Sequence, residues 1–122
     1  MQRTILCWLT GLLLILSVAC SSSQPLTADA GADFSITVGQ PPHFDGCAST
    51  GEIVNYKWTI RQAPATKPED AGKVIREVDA NCAFTLGAMM GVDEVGLWLV
   101  ELEVRDQAGN TSTDTVQVDV QP

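Results

Sequence analysis

Basic residues are scarce in this sequence. Seven Lys or Arg stand against fifteen Asp or Glu along 122 residues. No basic stripe is available to neutralise phosphates, which argues against nucleic-acid binding. The same shortage argues against attachment to anionic lipid by charge alone. Histidine is scarcer still, with His43 as the single example. A Ser-His-Asp site would have to use it, and the Gly-x-Ser-x-Gly elbow that presents such a serine is missing. His43 follows Pro41-Pro42 and is expected on the surface. No Cys-x-x-Cys pair occurs, so redox spacing of the thioredoxin kind is absent. Apolar runs are short: the longest, Ile5–Ala19, has fifteen residues, whereas a membrane-spanning helix needs about 20. A recurrent helical pattern is lacking in the body.

Arg3 followed by that run has the pattern of a secretory signal, a short basic region before a short apolar core. The run ends in Leu16-Ser17-Val18-Ala19-Cys20. This resembles the processing box of bacterial lipoproteins, although Ser17 stands where that family prefers Leu. The resemblance implies cleavage after Ala19, diacylglycerol on the Cys20 thiol and a further acyl chain, commonly palmitate, on the new amino group. Two or three chains anchor stably, whereas one binds only marginally. An ordinary signal peptide or an uncleaved anchor are the alternatives. Ser21, rather than Asp, follows the cysteine; by likeness to enteric Gram-negative lipoproteins this implies the outer membrane. The expected location is therefore extracytoplasmic, on the bacterial cell envelope.

The expected division of the chain is signal peptide over 1–19, lipidated cysteine and flexible tether over 20–27, and one domain over 28–122. Ser21-Ser22-Ser23-Gln24-Pro25 is polar and without periodicity, as a tether should be. From Cys20 to the first expected strand at Asp33 the chain reaches at most roughly 45 Å. Removing residues 1–19 takes one basic residue and no acid, leaving six basic against fifteen acidic groups, a formal −9. Such acidity keeps a domain soluble; a cationic partner or Ca²⁺ is the alternative reading.

The body alternates in strands. Gly96–Asp106 is the clearest, with Trp98, Val100, Leu102 and Val104 in one phase and Leu97, Leu99, Glu101, Glu103 and Arg105 in the other. It is expected to be a central strand. Asp33–Val38, His43–Ala48, Ile53–Ile60, Lys73–Val78, Cys82–Leu86 and Asp114–Gln121 complete a set of seven. In Ile53–Ile60 the core phase is expected to hold Val54, Tyr56, Trp58 and Ile60. Lys73–Val78 is expected at an edge. Arg61–Lys73 reads as a loop, Gly87–Val95 as a crossover with one helical turn at 88–90, and Asp106–Thr113 as a polar hairpin. Seven short strands separated by turn residues make an all-β sandwich the leading expectation, with a barrel as the alternative.

Several pieces together resemble a PKD (polycystic-kidney-disease) type immunoglobulin-like domain, over about Ala28–Val120. They are Ala28-Asp29-Ala30-Gly31, Val38-Gly39, Phe44-Asp45-Gly46-Cys47-Ala48-Ser49, the Tyr56-x-Trp58 strand, Gly96–Asp106 and Ala108-Gly109-Asn110-Thr111-Ser112-Thr113-Asp114. Trp98 replaces the usual corner Tyr. Ser49-Thr50-Gly51-Glu52 is a shortened form of a loop that is often Asp-rich, which weakens any inference of Ca²⁺ binding. The resemblance implies an immunoglobulin-like (PKD-type) sandwich of about seven strands in an extracytoplasmic module for interaction, spacing or adhesion.

In such a sandwich the second and fifth strands are antiparallel neighbours, so the resemblance implies a Cys47–Cys82 disulfide. Two buried free thiols or a metal pair are the alternatives, and zinc would want about four ligands. Asp29, Asp33, Asp45 and Asp106 could meet as hard oxygen ligands, but short acidic side chains equally cap turns; no metal or cofactor is assigned. Glu101 and Glu103 read as an outer sheet face rather than a catalytic pair. Leu97 and Leu99 share that face, and with Met89 and Met90 in the crossover they form a candidate partner surface. The expected function is a lipid-anchored, non-enzymatic envelope protein contacting an unknown protein or polysaccharide. The alternative is an accessory subunit holding an envelope enzyme or transporter near the membrane.

Overall fold

The computed structural model describes residues 24–79, 81–87 and 92–122. In chain order the strands are β1 (Phe34–Thr37), β2 (His43–Asp45), β3 (Ile53–Gln62), β4 (Val74–Val78), β5 (Ala83–Thr85), β6 (Gly96–Asp106) and β7 (Thr111–Gln121). Five form one sheet in the order β1-β7-β6-β3-β4, and β2 pairs with β5 in a second. β6 is thus the middle strand of the large sheet, and β4 is at its edge, both as expected.

The period of two in β6 explains its place. Trp98, Val100, Leu102 and Val104 are fully buried between the sheets. Opposite them lie Ile60 and Trp58 of β3 and Val116 and Val118 of β7. Burying each side chain of this size stabilises the fold by about 1.5–3 kcal/mol. The small sheet closes the other side with an aromatic cluster. The Phe44 ring lies 5.8 Å from Phe34, 5.4 Å from Trp58 and 5.4 Å from Phe84. The Arg76 guanidinium, on edge strand β4, sits 5.3 Å over the Phe84 ring. Sheet-to-sheet approach is close at Gly46, where a Cβ would come within 2.7 Å of Leu102 Cδ2 and 3.2 Å of Trp58.

Two expectations give way. Val54 is not on the core face. The register of β3 against β6 shifts between Ile53 and Asn55, so Val54 is displaced outward and Asn55 is buried in its place. A bulge of this kind inverts the alternation locally. Val38, expected to close the first strand, lies past the end of β1 at Thr37 and is exposed. The expected helical turn at 88–90 lies outside the described residues.

Residues 25–27, expected in a flexible tether, are instead held against the domain. Thr27 exchanges two backbone hydrogen bonds with Thr50, at 3.0 and 2.9 Å. Thr50 Oγ1 donates to the Pro25 carbonyl at 3.0 Å, and Leu26 packs on the core. The next residues cross the inner face of β7. The Ala28 amide donates to Ser112 Oγ at 2.9 Å and the Ala30 amide to Asp114 Oδ2 at 2.7 Å. Ser112 and Asp114 are in phase with Val116, Val118 and Val120, yet polar. The core face of β7 therefore turns polar where the N-terminal segment lies across it and brings unpaired amides.

Candidate functional site

The strand directions give the sandwich two ends. β6 starts at the upper end and finishes at the lower one. The lower end carries the turn between β2 and β3, the β6–β7 hairpin and the entry of the chain at Gln24–Thr27. The upper end carries the β1–β2 turn, the β3–β4 loop, the approach to β6 and the end of β7.

Cys47 and Cys82 form a disulfide, with Cα atoms 4.9 Å apart. The antiparallel pairing of β2 with β5 brings them together: Asp45 lies opposite Ala83, and the Gly46 amide donates to the Cys82 carbonyl at 2.8 Å.

The aspartates act singly: Asp29, Asp45 and Asp106 within their own turns, and Asp33 across to β7. Asp29 Oδ1 accepts the Gly31 amide and Asp45 Oδ1 accepts the Cys47 amide. Asp33 Oδ1 accepts the Gln117 amide, bridging to β7. Asp106 accepts from Asn110 twice, the amide at 2.9 Å and the side chain at 3.0 Å. The Asn110 side-chain hydrogen bond, helped by the backbone amides of Asn110, Ala108 and Gly109, holds the Asp106 carboxyl below its usual range. Among the described residues no three His, Cys, Asp or Glu side chains gather as metal ligands. His43 is exposed and pairs with Thr85 Oγ1 at 3.0 Å. Glu101 faces outward, as expected, and receives the Arg61 guanidinium at 2.7 Å.

At the position of the usual corner tyrosine, the Trp98 indole N–H donates to the Glu94 carbonyl at 2.9 Å. The indole thus ties the crossover to the start of β6 from inside the core. Gly96 is where the β3–β4 loop crosses: its φ is +138°, and a Cβ there would meet Pro64 at 2.7 Å.

Of the proposed partner surface, Leu97 is 45% exposed and Leu99 is half-buried. They line a shallow hollow of about 100 Å³ with Gln62, Trp98 and Gln117. The β3–β4 loop leaves Leu97 uncovered. Val95 and Val38, also exposed, flank the last residues of β7 at the same end. Met89, Met90 and Cys20 lie outside the described residues. Among those residues no helix is long and apolar enough to cross a membrane.

No protein-family model matches the chain, and no curated protein matches it. Among solved structures it is similar to the PKD domain from KIAA 1837 protein, with 25% identity over 83% of this chain and 91% of that one and a TM-score of 0.54. It is also similar to fibronectin(III)-like modules of Clostridium thermocellum CbhA, with 15% identity over 80% of this chain and 96% of that one and a TM-score of 0.51. A third likeness is to part of a nucleoside hydrolase-related hypothetical protein from Saccharophagus degradans. There the identity is 12%, the TM-score is 0.54, and the match covers 82% of this chain but 26% of that one. The last two likenesses are of fold alone. The fold is an immunoglobulin-like β-sandwich of the PKD type, as the residues and their resemblance led one to expect.

Proposed function

We propose that this chain is a lipid-anchored, non-enzymatic module of a bacterial envelope that docks a protein partner at the upper end of the sandwich. Cys20 is the acylated residue, reached through the signal segment and processing box. The observation that carries the contact role is Leu97: a large apolar side chain on the middle strand, 45% exposed on a face that along β6 and β7 is, Leu99 apart, made of Thr, Gln and charged side chains. Isolated exposed leucines are ordinary. This one adjoins the Leu99 hollow and shares its end with Val95 and Val38, as a small interaction patch would.

A protein fits this surface better than a polysaccharide. Sugar rings are commonly gripped by stacking on exposed aromatic faces. Phe44, Trp58, Phe84 and Trp98 are buried, and Phe34 and Tyr56 pack against the core, so the described residues offer no such platform. The accessory-subunit role is one form of the same reading, since the partner is then an enzyme or transporter.

Mild-detergent purification of the full chain, beside Leu97→Glu, tests this. A protein retained in fixed proportion by the wild type and lost from the variant is the expected result. Retention of glycan alone, or equal retention of protein by both, overturns it. Mass analysis of the N-terminal peptide should show acyl chains on Cys20, and an unmodified cysteine there would refute the anchor.

A further inference from the structure

We infer that the lower end of the sandwich faces the lipid headgroups, so that the 49–52 turn and the 107–110 hairpin are membrane-proximal and the Leu97 end points away. This rests on the acylation of Cys20 proposed above.

The argument is one of chain length. The domain does not begin where the first strand does. From Pro25 onward the backbone is clamped: Pro25 and Thr27 bond to Thr50, Ala28 to Ser112, Asp29 to Ser49 at 2.8 Å and Ala30 to Asp114. These partners belong to the β2–β3 turn and the lower half of β7. Leu26 further seals the joint, lying within van der Waals distance of Gly51. Four residues, Ser21–Gln24, separate Cys20 from the clamped segment, and the chain from Cys20 to Pro25 can extend at most about 17 Å. The long axis of the sandwich is set by β6, whose eleven residues span about 33 Å from Gly96 to Asp106. A leash attached at the lower end and half that length cannot let the sandwich stand inverted, upper end down, on the membrane that holds Cys20. Lying flat would place the outer sheet face against the headgroups, where Glu77, Glu101, Glu103 and Asp119 are nearly matched by Lys57, Arg61 and Arg105. That face carries no net positive charge to draw it onto an anionic leaflet. An upright stance remains. It separates the two surfaces by function: one end is tied to lipid, and the other is free for the partner.

The test uses full-length acylated protein purified in detergent and reconstituted into vesicles of phosphatidylethanolamine and phosphatidylglycerol. A fluorophore is placed at Ala108→Cys or at Gln40→Cys, and a fraction of the lipid carries a headgroup nitroxide. The expected result is several-fold quenching at position 108 and almost none at position 40. Equal quenching at the two sites, or stronger quenching at 40, in protein that floats with the vesicles overturns the stance and leaves the anchor standing. Protein that does not float, with an unmodified Cys20, overturns the anchor and the stance together. Thermal unfolding of each labelled variant, compared with the unlabelled chain, confirms that quenching reports the folded domain.

Discussion

At the lower end, Asp29, Asp45 and Asp106 each accept amide hydrogen bonds within their own turns, and the N-terminal segment is bonded to Thr50, Ser112 and Asp114. At the upper end, Val38, Val95 and Leu97 stand in solvent. The two ends are served by the same strands and the same core, so the difference is one of finishing. Polar groups at the lower end are spent on one another, and of the large apolar side chains Val54 is exposed there, at the bulge of β3. At the upper end apolar surface is left over, which a partner can bury. An end that holds the incoming chain and an end that keeps apolar surface free is the division that the proposed role would use.

Changes that strike the core or the closed, lower half should therefore cost stability, and changes to the exposed side chains of the upper rim should not. The largest effect is expected from Cys47→Ala with Cys82→Ala. The bridge closes 35 residues, for which chain entropy gives about 4 kcal/mol. Denaturant unfolding of the double variant should show a loss of that order; a loss near zero would mean that the bridge constrains little. Gly46→Ala comes next, because its methyl would press on Leu102 and Trp58. Overpacking of a tight core costs about 1–3 kcal/mol, and an unchanged midpoint would show that the sheets yield there. Trp98→Phe keeps the apolar bulk but loses the hydrogen bond to Glu94, worth about 1 kcal/mol. Its melting temperature should fall modestly, with hydrogen exchange rising in the segment before Gly96.

Asp106→Asn has a smaller effect with a pH signature. The carboxyl of Asp106 is depressed in the folded state below its ordinary 3.8. Its stabilising contribution is then present above pH 3.8 and is lost as pH falls through the lower folded value. Stability measured from neutral pH downwards should fall less steeply in Asp106→Asn across that acid window. Parallel acid profiles would contradict the capping role. The least effect on stability is expected from Leu97→Glu, within about 0.5 kcal/mol, although it should abolish partner binding.

Much of this could be read in the residues. Gly96–Asp106 is a strand from end to end because its alternation is uninterrupted, and both of its faces follow from that. Trp58 and Trp98 were legible as core by size and phase. The disulfide was legible only through likeness to a known family, since spacing alone does not say which strands are neighbours. Val54 was misread because a bulge depends on the register with β6, which β3 does not encode alone. The N-terminal clamp was missed for a similar reason: it joins Thr27 to Thr50 and Ala30 to Asp114 across long separations. One signal pointed to it. Ser112 and Asp114 continue the phase of three buried valines, and polar residues in a core phase need a partner. Leu97 was legible as outward-facing by its phase, whereas its exposure depends on the path of the Pro64 segment, which strand alternation does not encode.

The contrast between the ends is tested most directly by photo-crosslinking in living cells, with the same photoreactive side chain placed at Leu97 or at Gln107 of the full chain. The expected result is a protein adduct of one reproducible size from position 97, lost when Val95→Glu is added, and lipid adducts from position 107. Lipid adducts from position 97 together with protein adducts from position 107 would contradict it.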